Sequence, residues 1–152
     1  MTGTIPQDER RAPSVLFLNR FFHPDHSATS QMLSDLAFAL AEHGRQIRVI
    51  TSRQCYDAPE VQLAARETVG GVEIHRVWTS RFGREKLVGR AVDYTTFYFS
   101  AARTLWRLAR RGDVIIAKTD PPMLSIVAAP IARWRGAKLV NWLQDKIGRA
   151  HV

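Results

Sequence analysis

Residues 14–51 read SVLFLNRFFHPDHSATSQMLSDLAFALAEHGRQIRVIT, and this stretch decides the fold. Its first apolar run, Ser14–Leu18, is typical of a strand buried on both faces. Gln46–Thr51 is the second predicted strand, which we expect to be reached by a βαβ crossover. Apolar residues between them recur at helical spacing and predict an amphipathic helix. They are Leu33, Leu36, Ala37, Leu40 and Ala41.

The remaining sequence continues this alternation of strands and helices. Glu67–Val69 and Val72–Val77 flank Gly70-Gly71 and predict a hairpin that extends the sheet or folds beside it. We then expect a long helix over Lys86–Arg111, a strand over Asp113–Ala117, a helix over Met123–Trp134 and a strand over Ala137–Trp142. The predicted fold class is α/β, a doubly wound Rossmann-like parallel sheet with helices on both faces and a β-hairpin insertion.

Composition restricts the class of protein and of partner. A chain of 152 residues has the size of one domain. A net charge of +8 favours an anionic partner, such as a membrane surface, a phosphorylated ligand or nucleic acid. The single cysteine, Cys55, excludes an internal disulfide and a cysteine-based metal site. No sequence run is apolar over the roughly 18–20 residues of a membrane span.

Function is expected in the loops that follow the strands, because ligands of open α/β sheets bind outside the carboxyl ends of the strands. The first of these loops is Asn19–Ser30, and it leads directly into a helix. Helix N-termini bind phosphate, and the small residues Ser27, Ala28, Thr29 and Ser30 allow close approach. An ordinary capped loop explains the pattern equally well, since G-x-G-x-x-G and P-loop motifs are absent.

Other polar residues of these loops are candidates for substrate contacts. His23 and His26 have the chemistry of acid–base groups or of donors to a sugar or phosphate, although a surface role suits at least one of them better. Thr119 and Asp120 precede Pro121-Pro122 and are candidates for hydrogen bonds to a hydroxylated ligand. A helix-capping role is the better explanation for Asp120.

Two further candidates follow the last predicted strand. Gln144 and Asp145 come directly after Leu143, so they are placed to act on a ligand in the crevice. A solvated loop aspartate is the alternative, and the position favours function modestly.

The long basic helix has two interpretations. We assign its core-facing side to Leu87, Ala91, Tyr98, Ala102, Leu105, Trp106 and Ala109. The charged side then carries Lys86, Arg90, Asp93, Arg103, Arg107, Arg110 and Arg111, with Phe97 close to Arg90. It is either a solvated amphipathic helix or a surface that contacts anionic lipid through Lys86, Arg90, Phe97, Arg103 and Arg107.

Four segments together resemble the N-terminal, acceptor-side domain of GT-B glycosyltransferases of the family 4 type, most closely those of bacterial cell-surface polysaccharide synthesis. They are VLFLNRFFHPDHSATSQMLSDLAFALAEHGRQIRVITS, VGGVEIHRV, AKTDPPML and GAKLVNWLQD, and they span residues 15–145. Many relatives have Gly-Gly where Ala28 and Thr29 stand here.

This resemblance implies a nucleotide-sugar donor, a retaining transfer and no essential metal or other cofactor. It implies that His26–Ser30 face the donor diphosphate. It also implies that Gln144 or Asp145 lies near the reacting sugar, so both are the catalytic candidates. It also implies a lipid-linked or glycan acceptor and a cytoplasmic enzyme peripheral to the inner face of the plasma membrane. No nucleic-acid partner is expected.

The domain boundaries follow from the same resemblance. We expect a flexible N-terminus over residues 1–13, the glycosyltransferase domain over 14–145 and a non-native tail over 146–152. The tail is inferred because Ile147–Val152 match the translation of a common sequencing adaptor. The donor-binding domain of such enzymes is then missing, and the fragment alone is expected to be inactive.

Two alternatives to this enzyme remain open at the level of sequence. One is a stand-alone basic α/β module that binds anionic membrane or nucleic acid without catalysis. The other, weaker alternative is an unrelated nucleotide-binding domain of the doubly wound type. Salt-sensitive binding to anionic vesicles or to DNA separates the two partners of the first alternative.

Overall fold

A computed structural model describes residues 13–25, 27–54, 63–80, 82, 86–118 and 124–142. It contains six strands: β1 (Val15–Leu18), β2 (Ile47–Ser52), β3 (Arg66–Val69), β4 (Val72–Val77), β5 (Val114–Lys118) and β6 (Lys138–Trp142). Its three helices are α1 (Ala28–Glu42), α2 (Leu87–Leu108) and α3 (Leu124–Arg135). The four predicted parallel strands are confirmed, with ends that differ from prediction by no more than one residue.

The six strands form one sheet in the order β3-β4-β2-β1-β5-β6. All neighbouring strands are parallel except β3, which pairs antiparallel with β4. The hairpin therefore extends the sheet. Its turn residues Gly70 and Gly71 have φ angles of 56° and 83°, and a two-residue turn with both φ positive suits the twist of a hairpin.

The core has one layer on each face of the sheet, because side chains alternate along a strand. On one face, Phe17 of β1 packs with Leu33 and Ala37 of α1. On the other, Leu16 and Leu18 pack with residues of α2 and α3. This arrangement confirms the predicted doubly wound α/β fold.

The orientation of α2 differs from the prediction. Its buried positions are Gly89, Asp93, Phe97, Ala101, Thr104 and Leu105. Phe97 is fully buried, whereas Leu87, assigned to the core side, is 82% exposed. The placement of Phe97 on the charged, lipid-facing side is therefore wrong. Its ring packs in the core with Leu18, Ile50 and neighbouring apolar side chains.

A buried aspartate explains why the sequence pattern misplaced this face. Asp93 Oδ1 accepts hydrogen bonds from Ser80 Oγ and from the backbone N–H of Phe82 at 3.0 Å. Ser80 N also donates to Thr96 Oγ1 at 3.0 Å. These bonds hold the segment after β4 against α2, so a carboxylate occupies a position where hydropathy predicts solvent.

Asp93→Asn is expected to lower the free energy of unfolding by about 1–2 kcal/mol. The substitution keeps the shape of the side chain but replaces hydrogen bonds to a charged acceptor by weaker, neutral ones. Urea denaturation measures the change, with Asp35→Asn, an exposed aspartate of α1, as the control. Equal stability of the Asp93 and Asp35 variants would contradict the assignment.

The outer part of the sheet carries a pH-sensitive pair on β4. Glu73 Oε1 lies 2.7 Å from His75 Nε2 and 2.8 Å from Arg66 Nη2. Burial lowers the pKa of His75, and the hydrogen bond with Glu73 offsets only part of that effect. Burial also acts to raise the pKa of Glu73, but the hydrogen bonds from His75 and Arg66 together with the charges of His75 and Arg48 outweigh it, so this pKa is lowered.

Folding stability is therefore expected to fall as the pH is lowered through the range in which histidine titrates, about pH 6.5 and below. A lowered His75 pKa means that the unfolded chain binds more protons there, which favours unfolding. The lowered Glu73 pKa adds a loss in the same direction at lower pH. Urea midpoints measured across this range test the effect. His75→Gln, which does not titrate, is expected to flatten the histidine part, and an unchanged profile would refute its origin in His75.

Within the described ranges, no helix combines the length and the apolar character needed to cross a membrane.

Candidate functional site at the carboxyl edge of the sheet

The candidate site lies where the carboxyl ends of β1 and β5 meet. The chain leaves β1 for β2 on one side of the sheet, whereas β5 lies on the other side of β1. This is a topological switch point, the usual place for ligands in open α/β sheets. We call this side of the molecule the crevice edge.

The first component of the site is the N-terminus of α1. Ser27 is its N-cap, and Ser27 Oγ accepts a hydrogen bond from Ser30 N at 3.4 Å. Ser27 O accepts the first helical bond, from Gln31 N at 2.9 Å. The N–H groups of Ala28 and Thr29 lie before that bond in the chain and so outside the helical ladder. Together with the helix dipole they form a place for an anionic group.

Asp25 fixes the loop that presents this helix end. It is 4% exposed, and its Oδ2 accepts hydrogen bonds from both the backbone N–H and the hydroxyl of Ser27. Sequence reasoning overlooked Asp25. The signal was present, since an aspartate in a turn-rich loop commonly accepts a hydrogen bond from the backbone N–H two residues on, as in an Asx turn.

The second component is Lys118, the last residue of β5. Its side chain is almost fully buried, and its Nζ donates to Thr29 O at 3.0 Å. The Nζ atom also lies 4.2 Å from the ring centroid of Trp142 at the end of β6, a cation–π contact. An ammonium group and the positive end of α1 thus lie side by side, and each of them attracts an anion.

Lys118 was also overlooked as a site residue. In the loop 118–122, the sequence analysis named Thr119 and Asp120 as candidates for ligand contacts. It did not name the lysine that precedes them. A lysine directly after the buried run Val114–Ala117 was the available signal, because buried lysines are rare unless paired.

Two buried polar atoms complete the crevice edge. Asn19 follows β1 and is fully buried; its Nδ2 donates to Phe21 O at 2.7 Å. Asn19 Oδ1 and Ser30 Oγ find no hydrogen-bond partner within the described residues. Unpaired buried polar atoms are costly and uncommon in folded proteins, so both atoms are candidates to contact a ligand.

The predicted substrate-binding residues have different places. Ser27, Ala28, Thr29 and Ser30 lie together at the crevice edge. His23 is exposed, and its ring makes an edge-on contact with Phe38 at 5.5 Å between centroids. The other candidates, His26, Thr119, Asp120, Gln144 and Asp145, lie outside the described residues.

The predicted membrane-contact residues lie along α2. Lys86, Arg90, Arg103 and Arg107 are exposed, and Phe97 is not. Large apolar side chains are exposed beside these cations: Leu87, Val88 and Phe99 have exposed fractions of 82%, 74% and 76%. The surface therefore combines positive charge with exposed apolar area. The apolar area comes from Leu87, Val88 and Phe99, and not from Phe97.

Comparison with known proteins gives one match. The family model of the glycosyl transferase 4-like domain matches residues 27–149, which is most of the chain. Neither the curated proteins nor the solved structures give a match. The matched region begins at the N-cap of α1 and includes Lys118, so it contains both components of the crevice edge.

Proposed function

Since this chain belongs to the glycosyl transferase 4-like family, we propose that it is the acceptor-side domain of a retaining glycosyltransferase. The donor is a nucleotide-sugar, and the acceptor is a lipid-linked glycan of cell-surface polysaccharide synthesis. The observation that carries the proposal is the approach of Lys118 Nζ to within 3.0 Å of Thr29 O at the N-terminus of α1. The family resemblance implies a donor-side domain, and we expect transfer to need both.

The proposed binding mode places the donor diphosphate at the crevice edge. The N–H groups of Ala28 and Thr29 and the positive end of the helix dipole face one phosphate in this mode. Lys118 supplies a full positive charge beside it. Both groups favour the extra negative charge that a leaving nucleoside diphosphate acquires during transfer. Gln144 and Asp145 are proposed to contact the transferred sugar.

Nucleotide binding tests this proposal through an intrinsic reporter. Trp142 lies against Lys118, so its fluorescence is expected to change when the 152-residue chain is titrated with UDP- or GDP-sugars. The same titration of Trp142→Phe identifies the signal among the four tryptophans. Absence of saturable binding to every nucleotide-sugar, by the chain alone and by the chain joined to a donor-side domain, would overturn the proposed site. A product with inverted anomeric configuration, from the domain joined to a donor-side domain, would overturn the retaining mechanism.

Chelation by EDTA is expected to leave the affinity for a nucleoside diphosphate unchanged. We propose a metal-independent site because Lys118 and the positive end of α1 supply the charge that a divalent cation otherwise provides at a diphosphate. Titration with and without EDTA measures the effect. An affinity that falls with EDTA and returns with Mg²⁺ would contradict the metal-independent site.

Peripheral binding at the inner face of the plasma membrane is proposed for the exposed side of α2. The exposed side carries the cations Lys86, Arg90 and Arg103 together with the exposed apolar residues Leu87 and Phe99. Helices that lie in a membrane interface have this mixed composition. Co-sedimentation with anionic vesicles that weakens with salt and with Phe99→Ala supports this role. A non-catalytic binding module would show the same vesicle binding but no nucleotide-sugar binding.

A further inference from the structure

Four arginines surround one pocket at the edge of the sheet opposite the crevice. The described residues that line this pocket of about 460 Å³ are Arg107, Arg110, Arg111 and Arg135. We call it the arginine pocket. It lies where the chain leaves α2 to enter β5 and leaves α3 to enter β6, at the amino ends of these strands. The strand length separates it from the crevice edge by about 15 Å.

The backbone builds this pocket by joining two turns. Gly112 N donates to Gly136 O at 3.0 Å, so the turn after α2 and the turn after α3 are bonded together. A Cβ atom on Gly136 would lie 3.1 Å from Arg111 Cγ, which means that the second turn packs directly on the Arg111 side chain. The base of the Arg111 side chain is thus held against the second turn.

Arg135 is held in place by two further contacts. Its Nε donates to Ala109 O at 3.1 Å, and its Cζ lies 5.2 Å from the ring centroid of Trp106. Trp106 in turn lies beside Trp134, with 6.3 Å between the ring centroids. A guanidinium fixed in this way loses little freedom when it binds an anion, which favours binding.

Three of the four arginines, Arg107, Arg111 and Arg135, form no ion pair within the described residues. Asp113 is buried, and its two carboxylate oxygens accept hydrogen bonds from the backbone N–H groups of Ser14 and Arg110. The carboxyl ends of α2 and α3 contribute about half a negative charge each. The guanidinium groups of Arg107, Arg111 and Arg135 therefore leave the pocket positive, and an anion relieves their mutual repulsion.

We propose that the arginine pocket binds a phosphate or diphosphate group. Planar guanidinium groups bind phosphate oxygens in pairs, and several of them converge here on one space. The phosphate belongs either to a phospholipid headgroup or to a soluble phosphorylated molecule. Trp134 is 78% exposed and Trp106 is 41% exposed beside the pocket. Tryptophan is enriched at the headgroup level of membranes, so this pair makes the headgroup the favoured source. The site does not rest on the proposed sugar transfer.

The first arm of the test uses pyrophosphate and the indole N–H signals of the four tryptophans in NMR spectra of the 152-residue chain. Occupation of the pocket is expected to shift the signals of Trp106 and Trp134, whereas occupation of the crevice edge shifts Trp142. Arg111→Gln is expected to weaken the first response at least tenfold, because it removes charge-assisted hydrogen bonds. Arg111→Lys keeps the charge and is expected to lose less.

Arg45→Gln is the matched control. Arg45 is exposed and precedes β2 at the same edge of the sheet, so this variant loses the same charge outside the pocket. It is expected to bind pyrophosphate as the parent does. Near-ultraviolet circular dichroism verifies that each variant is folded.

The second arm identifies the source of the phosphate by vesicle co-sedimentation. If the ligand is a headgroup, Arg111→Gln reduces binding to vesicles of phosphatidylglycerol in phosphatidylcholine more than Arg45→Gln does. If it is soluble, the two variants bind vesicles equally and differ only with pyrophosphate. The proposal is overturned if Arg111→Gln and Arg45→Gln behave alike in both arms, whatever Trp142 reports about the crevice edge.

Discussion

Phe97→Ala is expected to lower the free energy of unfolding by about 3–5 kcal/mol. The ring is fully buried in the core layer that β1, β2, α2 and α3 share. Its removal loses the transfer free energy of an aromatic side chain and leaves a cavity that close-packed neighbours fill only in part. Since whole domains are stable by about 5–15 kcal/mol, this is the largest single effect expected here. Urea denaturation followed by circular dichroism measures it.

Phe99→Ala is the matched control, two residues along the same helix. Phe99 is 76% exposed, so its truncation is expected to change stability by no more than about 0.5 kcal/mol. The two variants also separate core from membrane roles, because only Phe99→Ala is expected to reduce vesicle binding while the chain stays folded. Equal loss of stability in both variants would contradict the orientation of α2.

Lys118→Met is expected to weaken the affinity for a nucleoside diphosphate by about 10–100-fold. Methionine keeps much of the length of the side chain but removes the ammonium group that lies beside the N-terminus of α1. One hydrogen bond to a charged group contributes about 1.5–3 kcal/mol, which corresponds to that range of affinities. Isothermal titration calorimetry with UDP or GDP measures the change.

Lys138→Met controls for the loss of a positive charge. Lys138 is exposed at the start of β6, on the edge of the sheet opposite the crevice. Its substitution is expected to leave nucleotide affinity unchanged. If both lysine variants lose affinity equally, binding reflects overall charge rather than a site at Lys118. Unfolding curves of both variants exclude a loss caused by unfolding.

The central strands could be predicted from sequence because they are short, mainly apolar segments bounded by turn residues, as expected for strands covered on both faces. Val15–Leu18 is an unbroken apolar run, whereas Ile47–Ser52 includes Arg48 and Val114–Lys118 ends in a lysine. Gly70-Gly71 predicted the hairpin for a local reason, the positive φ angles of its turn. The sequence pattern left open only whether the hairpin joins the sheet, which depends on contacts with distant β2.

The face of α2 could not be predicted because its buried stripe includes a charged residue. Asp93 is satisfied by Ser80 and Phe82, which precede the helix and lie close to it only after folding. Hydropathy along a helix assigns such a carboxylate to solvent and shifts the inferred core face, which placed Phe97 outside. The same shift placed the exposed Leu87 in the core, and Phe99 had no role in the prediction.

The candidate site was predicted in part. The N-terminus of α1 was identified because a loop of small residues after β1 is a local signal. Its partner Lys118 lies 89 residues from Thr29 in the chain, so their contact depends on the pairing of β1 with β5. Roles for His26, Thr119, Asp120, Gln144 and Asp145 remain predictions, as do the proposed domain boundaries.

The most direct test of the central claim is an NMR titration of ¹⁵N-labelled chain with a nucleoside diphosphate. We expect the largest backbone shifts at Ala28 and Thr29, accompanied by a shift of the indole signal of Trp142. Shifts confined to other parts of the chain, or none at saturating nucleotide, would contradict a diphosphate site between the N-terminus of α1 and Lys118.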